Sequence, residues 1–481
     1  MKENKVKKIN NAPKQSKNTL SKDVFDVVIV GAGVVGCAIA RRFALAGAKV
    51  AIVEKGVDIL DGASKANSAI LHTAFDAPPN SLEHACIRSG YDEYHEIYQK
   101  MGLPLENTGA FVVAWNEEEL AGLEKILEQA HRNGVVDAQI ISASMLHKKE
   151  PNLASHALGA IEVPKESIID PWSAPHAYLL QAIENGAQLF RSCEVTGGEF
   201  ERDEWQLETS RGSLRCQHVI NSAGLYGDRL DHALLGHSQF QIKPRKGQFV
   251  VFDKVAAELL TGIILPVPSD HTKGIVVFRT VFGNLVVGPT AEEQDSRSDA
   301  STDEETLRML IASGIDKVPE LKNIPVTAIY AGIRPATEYK DYQIESHADK
   351  NWITVGGIRS TGLSAALGIA QYVFKLYSDT GKQHIPCDSP ITPQMPMLAE
   401  RGERDWRNKQ HGKIVCHCEL VTEREVANAL TGCLAAQSLQ GLKRRTRVTM
   451  GRCQGFYCSA RLAELTQGHF KIPLAENIDD D

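Results

Sequence analysis

The stretch that decides the fold is residues 25–54, which read FDVVIVGAGVVGCAIARRFALAGAKVAIVE. A β-branched run opens it and a glycine turn follows. A helix-like segment rich in Ala and Leu, a second apolar strand and a glutamate complete it. Continuous apolar runs are typical of parallel strands buried on both faces, and this order of elements is that of a dinucleotide-binding βαβ unit. The stretch therefore predicts a Rossmann-like α/β domain that binds a nucleotide cofactor.

Each glycine of this turn has a mechanical role. Gly31 permits the tight turn, Gly33 lets the backbone approach a pyrophosphate, and Gly36 allows the helix to pack closely on the strand. The helix N-terminus faces the phosphate charge. Glu54 follows the glycines by about 20 residues, and we expect it to accept hydrogen bonds from the ribose hydroxyls. The fingerprint alone does not separate FAD from NAD.

The size and charge of the chain limit its class. At 481 residues it is too long for one ordinary compact core. A net charge of −7 gives no reason to expect nucleic acid as a partner. No apolar stretch reaches the roughly 20 residues that cross a bilayer, so we predict no transmembrane segment and leave peripheral membrane contact open. Residues 1–24, which are rich in Lys, Asn and Ser, predict a disordered tail.

Three further segments favour FAD, because they resemble segments of one family. They are residues 61–75 (DGASKANSAILHTAF), 219–230 (VINSAGLYGDRL) and 355–373 (VGGIRSTGLSAALGIAQYV). All three resemble D-amino-acid-oxidase-like flavoproteins, a family that includes glycerol-3-phosphate dehydrogenases and L-2-hydroxyglutarate oxidases. The resemblance implies further contacts with FAD from Ser64, Ala223, Gly224, Arg359, Gly362 and Leu363. We predict no covalent bond between the chain and FAD.

The family likeness runs in scattered motifs from about Phe25 to Ser378, and it implies the fold of an FAD-dependent oxidoreductase region at residues 25–380. Residues 163–179, 244–253 and 330–337 are also similar to family segments. The implied structure is an FAD-binding domain, assembled from discontinuous segments, beside a substrate domain built on an antiparallel sheet. Alternating strands such as FVVF and LVVG in the middle of the chain agree with this division. The class is α/β, or α+β when both domains are considered.

Four of the ten cysteines are clustered. Cys416-x-Cys418 is separated by 34 residues from Cys453-x4-Cys458. Four thiolates can bind a 2Fe-2S cluster or zinc, but structural zinc sites more often use C-x2-C pairs, so the spacing favours iron and sulfur. The pattern resembles the bacterioferritin-associated-ferredoxin-like module, a small helical 2Fe-2S domain. The other six cysteines stand alone, and such sparse usage indicates a reducing, cytoplasmic location, with peripheral association with the inner membrane left open.

The region after residue 380 therefore divides into three parts. Residues 381–412 are rich in proline and charge and predict a linker, residues 413–468 form the predicted 2Fe-2S module, and residues 469–481 form an acidic tail. A basic run just precedes the second cysteine pair: Lys443, Arg444, Arg445 and Arg447. Such a run is usually a solvated face. Beside a thiolate cluster it predicts tuning of the cluster potential or docking of a redox partner.

A flavin dehydrogenase also needs a proton acceptor and an anchor for the charge of its substrate. The family resemblance implies that Arg334, in AGIRPAT, binds the substrate anion, and Arg can do so through two hydrogen bonds. His72 matches a histidine near the flavin of related dehydrogenases and is the candidate base or orienting residue. The sequence after His72, HTAFDAPPNSLEHACIRSG, is closer in style to 2-hydroxyglutarate oxidases than to glycerol-3-phosphate dehydrogenases.

These observations give a leading hypothesis with three alternatives. The leading one is an FAD-dependent dehydrogenase of a small anionic hydroxy compound, with sn-glycerol 3-phosphate as the first candidate, because the chain most resembles the A subunits of anaerobic glycerol-3-phosphate dehydrogenases. Electrons would pass from FAD to the cluster and then to a partner redox subunit or quinone-linked acceptor. The alternatives are a dehydrogenase of L-2-hydroxyglutarate or another 2-hydroxy acid, an amino-acid dehydrogenase, and a non-catalytic flavin and iron-sulfur electron-transfer subunit.

Overall fold

The computed structural model describes residues 19–268 and 274–475. Its strands are, in chain order, β1 (Thr19–Val30), β2 (Val50–Val53), β3 (Ile70–Leu71), β4 (Leu105–Glu106), β5 (Ala110–Ala114), β6 (Gln139–Ser142), β7 (Gly159–Val163), β8 (Ser167–Ile169), β9 (Gln188–Phe190), β10 (Val195–Glu201), β11 (Glu204–Thr209), β12 (Gly212–Asn221), β13 (Ile242–Phe252), β14 (Ile263–Pro266), β15 (Val276–Arg279), β16 (Leu285–Gly288), β17 (Glu292–Glu293), β18 (Val326–Thr337), β19 (Gln343–His347), β20 (Trp352–Gly356), β21 (Ile414–Cys416) and β22 (Val421–Thr422). Its α-helices are α1 (Val34–Leu45), α2 (Leu82–Ile97), α3 (Glu117–Arg132), α4 (Ala143–Lys149), α5 (Ser173–Glu184), α6 (Gly227–Leu235), α7 (Glu304–Lys317), α8 (Gly362–Ser378), α9 (Glu423–Ala429), α10 (Leu439–Thr446) and α11 (Ser459–Leu465).

The predicted nucleotide-binding unit forms the centre of the first sheet. Strand β1 lies parallel to β2 on one side and to β12 on the other, and β20 runs parallel to β12. The residues 27–30 of β1 and all of β2 are buried, as expected of strands covered on both faces. Helices α1, α5 and α8 cover one face, where Phe43 packs edge-on against Phe374 and Tyr377. This sheet therefore combines strands from distant parts of the chain.

The second sheet forms the other large domain. Its strands follow the order β17-β13-β16-β15-β14-β5-β7-β6, and β18 pairs with β13 along nearly its whole length. Its pairings are antiparallel except that β14 runs parallel to β5. The predicted antiparallel substrate domain is therefore confirmed, with one parallel pair. The short strands β3, β8 and β4 form a separate small sheet. Residues next to this sheet contribute to the site described below.

The small module that contains the clustered cysteines has its own core. Helices α9, α10 and α11 enclose buried aliphatic side chains, among them Val421, Val426, Leu442 and Leu462. A capping box begins α9: the Thr422 side chain accepts from the Glu425 N–H, and Glu425 accepts in return from the Thr422 N–H. The preceding residues 381–412 contain no α-helix or strand. They first lie along the FAD-binding domain, where the Cys387 N–H donates to the Leu45 carbonyl, and then along the second large domain, where the Glu400 N–H donates to the Val281 carbonyl.

The N-terminal boundary differs from the prediction. The polar composition places residues 19–24 in a disordered tail, but in the structure they extend β1, with Thr19 opposite Ser213 and Val24 opposite Arg215 of β12. Pairing with a long neighbouring strand satisfies their backbone groups, which the polar local sequence does not reveal. Residues 1–18 and 476–481, the rest of the predicted tails, lie outside the described residues. Within the described part of the chain, no helix has the length and apolar character needed to cross a membrane.

Candidate active site

The glycine turn has the geometry that its sequence predicts. Gly31 has a positive φ of 102°, and a Cβ there would lie 2.6 Å from the Ser222 carbonyl oxygen. A Cβ on Gly36 would lie 1.9 Å from the Gly31 carbonyl oxygen, so helix α1 can approach the turn only if this position is glycine. Helix α1 begins at Val34, with its N-terminus at the cavity described next. The turn therefore leaves backbone amides available to a pyrophosphate.

Glu54 and Ser64 support the same turn. Glu54 Oε2 accepts from the Ala32 N–H at 2.8 Å, and Oε1 accepts from the Gly56 N–H at 2.7 Å. Burial raises the pKa of this carboxyl group, although the two amides oppose the shift. Ser64 Oγ accepts from the Val34 N–H at 2.9 Å. Both side chains border the cavity. Glu54 fixes the turn through its two backbone amide contacts, and its contact with the ribose stays a prediction.

One cavity of about 600 Å³ connects the two domains. Its volume is in the range of small-molecule and cofactor sites. It brings together nearly every predicted cofactor and substrate residue: Gly31, Gly33, Glu54, Ser64, His72, Ala223, Gly224, Arg334, Arg359, Gly362 and Leu363. Gly36 is the exception, because it lies beneath the turn in the contact between helix and strand. Residues from five separate parts of the chain thus meet in a site that suits an extended dinucleotide such as FAD.

Arg334 lies in this cavity without a carboxylate partner. It is on β18, directly opposite Arg245 of β13, and its Nη2 donates to the Thr290 carbonyl at 3.0 Å. Burial, with a smaller effect from Arg245, lowers the pKa of Arg334 to about 10, so the guanidinium is charged at neutral pH. Among the described residues, no carboxylate lies within ion-pairing distance of it. A buried cation of this kind is stabilised by an anionic ligand.

Arg359 has a different environment. Its Nη2 donates to the Lys340 carbonyl and lies 3.5 Å from Glu83 Oε2, and the side chain is partly exposed. Glu83 Oε1 also accepts from Thr361 Oγ1 at 2.7 Å, next to the start of helix α8. Arg359 therefore holds the turn that precedes α8, and the positioning of Gly362 and Leu363 at the cavity depends on that turn.

His72 contacts a buried glutamate that the sequence analysis did not single out. His72 Nδ1 lies 2.9 Å from Glu166 Oε2, and the Glu166 side chain has no exposed surface. Glu166 Oε1 accepts from the Thr73 N–H at 2.6 Å and from Thr73 Oγ1 at 2.8 Å. Glu166 lies in segment 163–179, which resembled the family, so that segment was the available signal. Without the fold, nothing in it distinguished this glutamate from surface residues.

The four clustered cysteines lie close to one another. The Cys418 side chain interacts with those of Cys453 and Cys416, and the Cys458 side chain with those of Cys416 and Cys453. Four neighbouring thiolates are the ligand set that a 2Fe-2S cluster requires.

Backbone amides also favour an anionic cluster at this position. The N–H groups of Tyr457, Gly455 and Phe456 point to the Cys453 sulfur and hold its pKa below the ordinary value. Burial and the neighbouring Cys416 raise the pKa of Cys458 to about 11, so this sulfur needs a bound cation to be a thiolate at neutral pH. Hydrogen bonds to the sulfurs are one of the means by which proteins set the potential of an iron-sulfur cluster.

The basic run before Cys453 is buried rather than exposed. Arg445 donates to both oxygens of Asp58, at 2.8 and 3.0 Å, and Arg444 Nη2 donates to the Ile59 carbonyl at 2.9 Å. Arg447 Nε donates to Glu419 at 2.8 Å, and its guanidinium lies 3.8 Å from the centre of the Phe282 ring. The solvated face that such a run usually forms is therefore wrong for these three arginines. They attach the cysteine module to the rest of the protein.

Comparisons with known proteins agree with both halves of this site. Residues 26–376 match the family described as FAD dependent oxidoreductase, and residues 414–467 match the BFD-like 2Fe-2S binding domain. The chain is 34% identical to a protein of Caloramator mitchellensis named glycerol 3-phosphate dehydrogenase, over 94% of this chain and 96% of that one. It is 25% identical to a subunit of the anaerobic glycerol-3-phosphate dehydrogenase of Escherichia coli strain K12, over 94% of this chain and 90% of that one.

A solved structure supports the same assignment. Dithionite-reduced L-alpha-glycerophosphate oxidase from Mycoplasma pneumoniae, with FAD bound, superposes with a TM-score of 0.73 and 28% sequence identity. The match covers 78% of this chain and 100% of that chain. The cavity, the glycine turn and the paired cysteines now have one explanation. The chain belongs to the family of FAD-dependent oxidoreductases and also contains a BFD-like 2Fe-2S binding domain, so that its cofactors are FAD and a 2Fe-2S cluster.

Proposed function

We propose that this FAD-dependent dehydrogenase oxidises sn-glycerol 3-phosphate to the corresponding ketone and delivers the electrons, through the 2Fe-2S cluster, to an external acceptor. The observation that carries the proposal is the buried Arg334 guanidinium, which lacks a carboxylate partner among the described residues and shares its cavity with His72. Two relatives over most of the chain are named for glycerol 3-phosphate, which supports the choice of substrate.

Arg334 is the proposed anchor for the substrate phosphate. A guanidinium presents several N–H donors in a plane and can donate two of them to one phosphate group. Burial strengthens such a contact because little water competes for the donors. Arg245, opposite Arg334 in the sheet, adds positive charge to the same wall, although Glu293 partly offsets it. A substrate held here by its phosphate extends its carbon chain into the remainder of the cavity.

His72 is the proposed acceptor of the proton from the substrate hydroxyl. Its backbone N–H donates to Ser364 Oγ at 2.9 Å, which ties it to the first turn of α8. The start of α8 also borders the cavity through Gly362 and Leu363, so the histidine is held beside the predicted flavin contacts. FAD, when bound, supplies the acceptor for the hydride that leaves the substrate carbon.

Anaerobic titration tests the substrate. The FAD-loaded protein is mixed, without oxygen, with glycerol 3-phosphate, glycerol, L-2-hydroxyglutarate, other 2-hydroxy acids and a set of amino acids, and flavin absorbance is followed. We expect rapid bleaching by glycerol 3-phosphate and none by glycerol, because glycerol lacks the anion. If only a 2-hydroxy acid or only an amino acid bleaches the flavin, that compound is the substrate and glycerol 3-phosphate is not. The absence of bleaching by any compound would favour an electron-transfer subunit without a substrate of its own.

A variant of the anchor sharpens this test. Arg334→Gln removes the charge and the planar set of donors, and a charge-assisted hydrogen bond contributes about 1.5–3 kcal/mol. We therefore expect KM for glycerol 3-phosphate to rise about 10- to 100-fold. The matched control is Arg308→Gln, which changes an exposed arginine paired with Glu304 on helix α7. An Arg334→Gln enzyme with an unchanged KM would exclude this residue as the anchor.

The proposed electron acceptor is a partner redox subunit or a quinone-linked protein. The support is the position of the Cys453–Cys458 loop, whose Phe456 and Tyr457 side chains are 82% and 77% exposed. An exposed loop between two cluster ligands gives an acceptor close access to the cluster. None of the ten cysteines, all of which the structure describes, forms a disulfide, which supports a reducing, cytoplasmic location. Peripheral contact with the inner membrane is the corresponding proposal if the acceptor is quinone-linked.

The acceptor is tested with the substrate-reduced protein. The protein is first reduced anaerobically by glycerol 3-phosphate. A soluble quinone analogue is added to one sample and molecular oxygen to another, and the rates of reoxidation are compared. We expect the quinone analogue to react much faster than oxygen. Faster reaction with oxygen would indicate an oxidase and would contradict the proposed acceptor.

A further inference from the structure

The contact between His72 and Glu166 arises from the register of the small sheet. Strand β3 ends at Leu71 and pairs antiparallel with β8, so that Leu71 lies opposite Ser167. The next residue on each strand is therefore His72 on one side and Glu166 on the other. A backbone hydrogen bond from the Gly109 N–H to the Glu166 carbonyl, at 2.9 Å, fixes the backbone of the glutamate. The pairing of the two strands thus determines the backbone positions of His72 and Glu166.

The Glu166 carboxylate is fully buried and has a complete set of donors. It accepts from the Thr73 N–H, from Thr73 Oγ1 and from the His72 ring. Burial of a carboxylate is costly unless hydrogen bonds replace its water. These three donors fix the orientation of the carboxylate, and Oε2 is directed at Nδ1 of the imidazole.

The structure assigns Glu166 the role of a positioning residue for His72, an assignment that rests on the proposed dehydrogenase function. A carboxylate accepts hydrogen bonds only, so its contact selects the imidazole tautomer with the proton on Nδ1. Nε2 then carries the lone pair. His72 borders the cavity and is 25% exposed, and this nitrogen, which does not contact Glu166, is the proposed acceptor of the substrate proton.

In the proposed oxidation the substrate loses one proton and one hydride. The substrate O–H bond breaks, an N–H bond forms at His72 Nε2, and the hydrogen on the same carbon leaves with two electrons as the hydride that FAD accepts. The carbon–oxygen bond becomes a carbonyl. The imidazole gains one positive charge in this step, and the Glu166 carboxylate stabilises that charge at 2.9 Å. Glu166 itself does not need to exchange a proton.

Glu166→Gln tests the assignment with minimal change in shape. The amide oxygen can still accept from Thr73, but the amide nitrogen then faces His72 Nδ1 and donates to it. The preferred tautomer is inverted and Nε2 becomes a donor. We expect kcat to fall at least about 100-fold, in the range ascribed to general acid-base catalysis, with KM for glycerol 3-phosphate changed less than about threefold. Glu166→Asp, which retains the carboxylate, should recover part of the lost kcat.

A double-variant cycle separates positioning from a structural role. If Glu166 acts through His72, then adding Glu166→Gln to His72→Asn lowers kcat no further than His72→Asn alone. Additive losses, or an unchanged kcat in Glu166→Gln, would overturn the assignment. FAD content is measured for each variant, because a drop in bound FAD would show damage to the fold instead of to the proton transfer.

A measurement that needs no turnover tests the role of Glu166 independently of the identity of the substrate. The ¹⁵N NMR spectrum of the FAD-loaded protein, labelled at histidine and assigned with His72→Asn, reports which ring nitrogen carries the proton. We expect Nδ1–H in the wild type and Nε2–H in Glu166→Gln. If glycerol 3-phosphate fails to bleach the flavin but the tautomer inverts, the substrate proposal fails and the role of Glu166 stands. If the tautomer is the same in both proteins, the role of Glu166 is refuted whatever the substrate.

Discussion

Arg445→Gln is expected to loosen the 2Fe-2S module from the FAD-binding domain. Asp58, in the loop after β2, is fully buried and accepts two hydrogen bonds from the Arg445 guanidinium, at 2.8 and 3.0 Å. The backbone N–H groups of Ile59 and Gln437 also donate to this carboxylate, at 2.8 and 3.1 Å. Burial by itself raises the pKa of Asp58, but the charge and hydrogen bonds of Arg445 more than offset it and leave that pKa below the ordinary value. The carboxylate is therefore charged at neutral pH, and the variant leaves it buried without its main partner.

The size of the effect follows from the burial of the pair. Removal of one partner of a buried ion pair costs about 3–5 kcal/mol. Arg191 Nη1 lies 3.6 Å from Asp58 and recovers part of this loss, so we expect a net cost of about 2–4 kcal/mol. At about 1.4 kcal/mol for each factor of ten, the undocked population of the module rises roughly 30- to 700-fold.

Hydrogen exchange of helix α10 and limited proteolysis between residues 381 and 412 measure this undocking directly. The control is Arg461→Gln, the same substitution in the same module, at an arginine that is 43% exposed and pairs with Glu423; water screens this pair, so we expect little change in docking. Equal protection of α10 in the two variants would refute the reasoning, because it would mean that burial of the Asp58 pair adds nothing to docking.

The remaining predictions concern the two cofactors and pH. Gly36→Ala should lose FAD, measured as bound flavin per protein, because its Cβ would lie 1.9 Å from the Gly31 carbonyl oxygen. Cys453→Ser should lose the visible spectrum of the cluster but still allow the substrate to bleach the flavin, so that only delivery to an external acceptor stops. Burial lowers the pKa of His176 to about 3 and that of His218 to about 4. The unfolded chain then binds more protons than the folded protein below pH 6.5. Each of the two buried histidines should therefore reduce the free energy of unfolding by about 2 kcal/mol between pH 7 and pH 5. His176→Phe should remove the contribution of His176, which urea titrations measure.

The parts of the site that the sequence predicts are those in which a short segment contains its own constraint. The glycine turn is such a case, because Gly31 and Gly36 are required by contacts within or next to a single βαβ unit. The cysteine motifs are another, since Cys416 and Cys418 lie in one short segment and Cys453 and Cys458 in a second. The spacing within each motif is local, whereas the fold brings the two motifs together.

The parts that the sequence does not predict depend on partners far along the chain. Glu166 is 94 residues from His72, and only the pairing of β3 with β8 shows that they meet. The basic run by itself predicts a solvated face. Its local sequence does not reveal the partner of Arg445, because Asp58 is 387 residues away. Charge runs are usually exposed, and a single buried acid in another domain reverses that expectation. Long-range ion pairs have no local signature.

The loop between Glu54 and Ser64 connects the two cofactor sites physically. Glu54, Asp61 and Ser64 border the FAD cavity, whereas Asp58 and Ile59, between them, hold the arginines of the cysteine module. Ordering this loop from one side therefore lowers the conformational entropy still to be lost from the other. Binding free energies are reciprocal, so any strengthening of module docking by FAD equals the strengthening of FAD binding by the docked module. Arg445→Gln, although it contacts no part of the cavity, should for this reason also weaken the retention of FAD.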